Sequence, residues 1–142
     1  MYLLDTNICI YAMKGLYPSI RQMLLSIHPG DIFVSAITVG ELAYGAAKSR
    51  WGERARNTMH AFLANYDILS FDANDAAYFG QFRAALASAG IPIGAYDVMI
   101  AAQGAARNLT VVTHNTKEFE RVPGLALEDW TMPDARGRRI TP

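Results

Sequence analysis

Four short apolar runs, each followed or preceded by helix-length segments, constrain this chain more than any other feature. They are Tyr2–Leu4, Ile32–Val34, Ile68–Phe71 and Leu109–Thr113. Runs this short and this rich in β-branched and aromatic residues suit strands, not helices. The segments between them carry helical spacing. Thr6–Met13 reads as a helix stopped by Gly15 and Pro18, and Ser19–Ile27 as a second with Ser19 as its candidate N-cap. Ala36–Lys48 and Arg54–Tyr66 follow, the latter with Met59, Phe62, Leu63 and Tyr66 on one face. Asp72 or Asn74 caps a long helix that ends near Gly90, and Asp97–Arg107 is an Ala-rich helix after the loop Gly90–Gly94. Phe119–Leu127 holds a turn at Pro123-Gly124 and a last strand. Alternating strands and helices predict an α/β fold with helices layered on a short, mostly parallel sheet. Sites in such sheets lie at the carboxyl ends of strands.

Composition narrows the class. The chain has 142 residues, 51% hydrophobic and 18% charged, which fits one domain with a sizeable core and excludes a disordered chain. The domain is expected over residues 1–132, with 133–142 a loose, polar, basic tail containing Arg136, Arg138 and Arg139. The longest uncharged stretch, Ala84–Tyr96, is interrupted by Gly90, Pro92 and Gly94 and is too short to span a membrane. Asp5 interrupts the apolar N-terminus with no basic region before it, so no signal peptide is expected. The single cysteine, Cys9, has no internal partner, which suits a reducing cytoplasm. Lys plus Arg and Asp plus Glu are 13 each, so a generic nucleic-acid binder resting on excess positive charge is disfavoured.

Three acids stand apart. Asp5 is the only charge from Met1 to Met13, Glu41 the only one from Ile32 to Ala47, and Asp97 the only one from Ala84 to Ala106. A carboxylate in apolar surroundings is costly unless it is paired, hydrogen-bonded or bound to a cation, and no basic residue is placed locally to pair with these. Asp5 falls at the end of the first strand, Glu41 early in the helix after the second, and Asp97 in the first turn of a helix. All three converge at one edge of the sheet if the fold is as described. A hard divalent cation then relieves their repulsion: Mg²⁺ prefers one or two carboxylates with water and phosphate oxygens, and Mn²⁺ can substitute. The plainer readings stand beside this one. Asp5 and Asp97 each suit an N-cap, and Glu41 can face solvent.

Two further stretches bear on chemistry. Thr113-His114-Asn115-Thr116-Lys117-Glu118-Phe119 follows a strong strand, where polar residues suit a site, although an Asx-type turn and a helix cap explain it equally simply. Lys48, Arg50, Arg54 and Arg56 surround Trp51, a mixture that suits an RNA backbone with a stacked base and also suits a solvated helix start. His28, His60 and His114 show no spacing for zinc or a triad; His114 adjoins the polar stretch.

Taken together, Leu4-Asp5-Thr6-Asn7, Ser35-Ala-Ile-Thr38-Val-Gly-Glu41-Leu42, Ile93-Gly94-Ala-Tyr-Asp97-Val-Met-Ile100 and Val112-Thr113-His-Asn115-Thr-Lys-Glu118-Phe119 resemble the PIN-domain ribonucleases, specifically VapC-type toxins of toxin–antitoxin pairs. The resemblance runs from Met1 to about Trp130. It implies a three-layer α/β/α sandwich and a Mg²⁺- or Mn²⁺-dependent endoribonuclease. It places Asp5, Glu41 and Asp97 at the family's acidic positions, with Thr6 and Thr113 ordering the site. Asn115 departs from the pattern, because many relatives carry Asp there. One charge fewer implies a single tightly held cation bound mainly by Asp5 and Asp97, with Glu118 contributing through water.

The resemblance also implies partners: structured RNA, often tRNA, as substrate; a small antitoxin whose C-terminal segment lies over an apolar groove and brings a basic side chain to the acids; and a homodimer. Lys48, Arg50 and Trp51 are the expected RNA contacts. The alternative is a non-catalytic PIN-like module that binds RNA or protein, although such modules commonly lose one or more acids. A phosphatase with an aspartyl nucleophile usually needs a second Asp two positions after the first, where Asn7 stands. A receiver domain wants an acidic cluster and a mid-chain phosphoacceptor, neither of which is found.

Overall fold

The computed structural model describes residues 1–132 and the backbone of residues 139 and 140. The elements, in chain order, are β1 (Tyr2–Leu4), α1 (Thr6–Lys14), α2 (Pro18–Ser26), β2 (Ile32–Ser35), α3 (Ala36–Lys48), α4 (Gly52–Leu63), β3 (Asp67–Leu69), α5 (Ala73–Ser88), α6 (Ala95–Ala106), β4 (Thr110–Val112), α7 (Thr116–Phe119), β5 (Leu127–Glu128) and β6 (Arg139–Ile140). The strands form one sheet in the order β3-β2-β1-β4-β5-β6, parallel throughout except for the antiparallel β5–β6 pair.

Strand periodicity divides the core in two. Leu4, Ile32, Val34 and Val112 point to one face and pack with Ile8, Cys9, Ile20, Met23, Met59 and Leu63 from α1, α2 and α4. Leu3, Val111 and Leu127 point to the other face and pack with Leu86, Val98, Ile100 and Phe119 from α5, α6 and α7. The result is the expected three-layer α/β/α sandwich. One close approach is absolute: a Cβ on Gly104 of α6 would lie 2.5 Å from Val111 Cγ2, so only glycine lets α6 rest on β4 there.

The order of the strands positions the site. From β1 the chain moves to β2 on one side, then to β3, and returns across β1 to β4 on its other side. The direction of progression therefore reverses between β1 and β4, and the crevice at such a switch point is where open α/β sheets place ligands.

The expected elements recur with shifted ends. The second helix starts at Pro18, and Ser19 does not cap it; the Ser19 hydroxyl instead donates to the Trp130 carbonyl (2.7 Å), tying α2 to the segment after β5. The helix placed at Arg54–Tyr66 begins at Gly52 and ends at Leu63. Asp72, one of two candidate caps, caps α5 in a reciprocal box with Asp75. Within the stretch expected to be a loose tail, Arg139 and Ile140 pair with Glu128 and Leu127, completing the open edge of β5. Arg136 and Arg138 lie outside the described residues. Among the described residues no helix is long and apolar enough to cross a membrane.

Candidate active site

Asp5 is the first residue past β1. Its backbone N–H continues the β1–β4 ladder to the Val112 carbonyl (3.0 Å), which holds it level with Thr113 at the end of β4. Its side chain is 3% exposed, and Oδ1 accepts from the Ile8 N–H (2.9 Å), so Asp5 does cap α1. Capping alone does not account for its surroundings. Burial pushes its pKa from 3.8 up to about 7, with Asp97 and Glu41 adding repulsion; the Thr113 hydroxyl and the Ile8 N–H oppose this without cancelling it.

Asp97 sits in the first turn of α6, two residues after its start. The helix is capped by Gly94 without any side-chain bond, so the capping explanation fails for Asp97. Burial, then the charges of Glu118 and Glu41, raise its pKa to about 6. Glu41 is half-buried and does not simply face solvent: its Oε1 accepts from the Thr6 hydroxyl (2.7 Å). Thr6 has one hydroxyl proton and gives it to Glu41. The 3.0 Å contact between Thr6 and Thr38 therefore has Thr38 as donor, and the chain Thr38 to Thr6 to Glu41 aims the carboxylate. Thr38 is fully buried and was not among the expected site residues. Its signals in the sequence are a hydroxyl three residues before the lone acid of an apolar helix and its place in the Ser35–Leu42 stretch that carries the resemblance.

Thr113 is fully buried and joins two parts of the site: its hydroxyl favours the charged form of Asp5 and accepts from the Asn115 N–H (2.9 Å). Asn115 precedes α7 without a side-chain bond to it, so the turn is closed by Thr113 and the expected cap is absent. Glu118, in the first turn of α7, is electrostatically in reach of Asp97. The structure thus gathers Asp5, Glu41, Asp97 and Glu118 into one field, with Thr6, Thr38 and Thr113 behind them. None of these four acids is ion-paired among the described residues, in contrast to Asp75, which is 1% exposed. Burial would push Asp75 up, but Arg107 at 2.9 Å, the Asp72 backbone and Gln103 outweigh it and hold its pKa below the usual range. That pairing, also unforeseen, shows what this fold does with a purely structural buried acid.

No three Asp, Glu, His or Cys side chains among the described residues close tightly enough to cage a metal by themselves. A cation that keeps most of its shell as water and phosphate oxygens does not need such a cage. Of the remaining expected residues, Trp51 shares a cleft with Glu41. A cleft of about 520 Å³ between α1, α3 and α4 has Glu41, Trp51 and Arg54 on its wall and Ile10, Leu42 and Met59 on its floor. Arg50 stacks on Trp51 (5.2 Å) and Lys48 on Tyr44 (4.9 Å). His114 turns away from the acids, bonding Asp129 (3.1 Å) and Thr131 (2.9 Å) and packing beside Tyr11 and Tyr17. His28 accepts from the Gly30 N–H within its own turn.

A sequence profile for the PIN domain matches residues 2–125, nearly nine-tenths of the chain. The chain belongs to the PIN-domain family. Within the family it is similar to the VapC ribonucleases. It is 44% identical over 130 residues to the tRNA(fMet)-specific endonuclease VapC of Shigella flexneri, covering 92% of this chain and 98% of that one. It is also 40% identical to ribonuclease VapC2 of Rickettsia felis over 131 residues, covering 92% and 98%. The crystal structure of DNA-bound VapBC from Salmonella typhimurium superposes with a TM-score of 0.86 at 42% identity, over 91% of this chain and 97% of that one. The PIN fold and its VapC-type ribonuclease character stand on these likenesses.

Proposed function

We propose that this chain is the toxin of a toxin–antitoxin pair, a divalent-metal-dependent endoribonuclease that cuts structured RNA, with tRNA as the leading candidate because the Shigella relative is named for one. The observation that carries the reading is the unpaired, mutually repelling acid set at the β1/β4 switch point, with Asp5 raised to about 7 and Asp97 to about 6. A protein that buries carboxylates without a basic partner leaves their neutralisation to something it binds.

Asp5 and Asp97 are the residues that would hold Mg²⁺, or Mn²⁺ in its place. Glu41 would join them directly or through water, and Asn115 and Glu118 would reach the ion's water. When bound, the ion supplies an acidified water and charge relief at the phosphate. The chain's own contribution is positional. The Ile8 N–H and Thr113 hold Asp5, and the hydroxyl relay from Thr38 holds Glu41 where it can accept a proton from attacking water. Asn115, with a neutral amide, offers one acceptor oxygen and two N–H donors but no charge for a second ion. Lys48, Arg50 and Trp51 supply positive charge and an aromatic face to RNA. The apolar cleft from Glu41 to Trp51 fits the C-terminal segment of a small antitoxin, a reading supported by relatives whose structures are of VapBC complexes. The chain acts as a homodimer in the cytoplasm, over residues 1–132.

The test is cleavage of total RNA by the purified chain with Mg²⁺, with EDTA, and as Asp97→Asn, with the cut ends mapped. Cleavage only in the first arm is expected. RNA binding without cleavage in any arm would leave a non-catalytic PIN-like module as the correct reading.

A further inference from the structure

Helix α3 carries Ile37, Gly40, Glu41, Tyr44 and Lys48 at spacings of three and four, so they share one face. That face forms one wall of a second cleft, of about 570 Å³, separate from the apolar one and meeting it at Glu41. Ile37, Gly40, Glu41 and Tyr44 line it from α3, and Tyr96 closes it from α6, one residue before Asp97. Such a volume lies within the range of small-ligand clefts, roughly 300–1,000 Å³.

Three features of this cleft have no explanation within the folded chain. Tyr44 is 66% exposed and Tyr96 57% exposed, so two large aromatic rings flank the acids without being part of the core. Gly40 lies in the interior of a helix, where glycine is the least favourable residue but proline. A Cβ at Gly40 would meet nothing within 4 Å, so intramolecular packing does not require the glycine; what it does is keep the wall beside Glu41 free of a side chain. Gly45 in α3 and Gly80 in α5 are equally unhindered, so what sets Gly40 apart is its place beside Glu41 on the wall of this cleft.

We propose that the cleft between Tyr44 and Tyr96 is a nucleobase subsite, which holds an unpaired base of the RNA next to the phosphate at Asp5 and Asp97. This rests on the ribonuclease reading above and adds where the strand lies. The chemistry selects a base over the other parts of RNA. Glu41 on the wall repels a bare phosphate, whereas a base is neutral and presents a π-face to each tyrosine. Lys48, 4.9 Å from the Tyr44 ring, places a cation at the outer end, where the next phosphate of the strand would emerge. A base enters only if it is unpaired, so loops of a structured RNA are the substrate segments this cleft accepts.

The test uses the full chain and a fluorescein-labelled single-stranded RNA pool. Binding is measured in EDTA, where nothing is cut, and cleavage is measured separately with Mg²⁺. Tyr44→Leu and Tyr96→Leu are each expected to weaken binding and raise KM by roughly 5- to 100-fold with a smaller effect on kcat. Tyr44→Phe and Tyr96→Phe should stay within two-fold of wild type. Gly40→Leu should fold at least as stably as wild type and bind RNA as poorly as the Tyr→Leu variants. Wild-type cleavage with Leu variants unchanged in KM would overturn the subsite and leave the ribonuclease reading intact; no cleavage by wild type would overturn that reading instead. Loss of a dimer in light scattering with RNA binding unchanged would show that a second copy of the chain covers this face, and would also overturn the subsite.

Discussion

Replacing Asp5 with Asn should stabilise the metal-free protein while abolishing its activity. The amide keeps the oxygen that caps α1 through Ile8 N–H (2.9 Å) and removes only the charge. Displacement of the Asp5 pKa from 3.8 to about 7 makes the ionised, buried side chain cost about 4 kcal/mol at pH 8. The sign follows from proton counting. Between pH 3.8 and about 7 the folded state holds the proton and the unfolded state has lost it, so wild-type stability falls as pH rises through that window. The Asn variant has nothing to titrate there. Its advantage should be about 4 kcal/mol at pH 8, equivalent to a rise in Tm on the order of 10 °C. At pH 5 only the ionisation of the unfolded wild-type chain remains, and the advantage should shrink to about 2 kcal/mol. Urea denaturation of both proteins in EDTA at the two pH values measures this directly. Adding Mg²⁺ at pH 8 should close the gap by stabilising the wild type alone. A variant no more stable than wild type at pH 8, or an advantage that does not shrink at pH 5, would refute the claim that Asp5 is held ionised against its environment.

Arg107→Leu should destabilise by about 3 kcal/mol, because it strands the buried Asp75 carboxylate without its partner; the loss should be read at pH 7 and should fade in acid as Asp75 protonates. Gly104→Ala should cost roughly 1–3 kcal/mol by driving a methyl into Val111, seen as a lower urea midpoint. Asn115→Asp should tighten Mg²⁺ binding in calorimetry, and Asn115→Ala should reduce RNA cleavage less than Asp5→Asn does; two tight, equivalent Mg²⁺ sites in the wild type would contradict a role for the missing charge.

The layered fold was legible because its signals are local. Tyr2–Leu4, Ile32–Val34 and Leu109–Thr113 are apolar on both faces, as buried parallel strands must be; Asp5 ends the first of them abruptly, and Asp97 follows the loop Gly90–Gly94. Glu41 stood out for the same reason, being a lone charge in an apolar helix. What escaped was every arrangement that depends on distant parts of the chain. Ser19 looked like a cap, but its partner is a carbonyl 111 residues away. Arg107 and Asp75 are 32 residues apart; Arg107 is the only Lys, Arg, Asp or Glu from Val98 to Thr116, but nothing local names its partner. Thr38 was one hydroxyl among many until the fold brought Thr6 within 3.0 Å of it. The pairing of Arg139 and Ile140 with β5 depends on an open edge that exists only once the sheet has formed.

Two of the buried acids among the described residues, Asp5 and Asp75, explain each other. Asp75 and Asp5 are both nearly excluded from solvent, both act at the start of a helix and both accept a backbone N–H or sit in a capping arrangement. Folding has supplied Asp75 with Arg107 and Gln103, and its carboxylate is more acidic than a free one. It has surrounded Asp5 with Asp97 and Glu41, and its carboxylate is far less acidic. Capping therefore cannot be the reason that Asp5 lies where it does, since Asn would cap α1 as well without the burden of charge. A residue whose charge opposes folding, beside others whose charge opposes it further, fits the proposed role of a charge used after folding is complete. The crevice between β1 and β4 is where the chain's topology leaves room for the cation and phosphate that would use it.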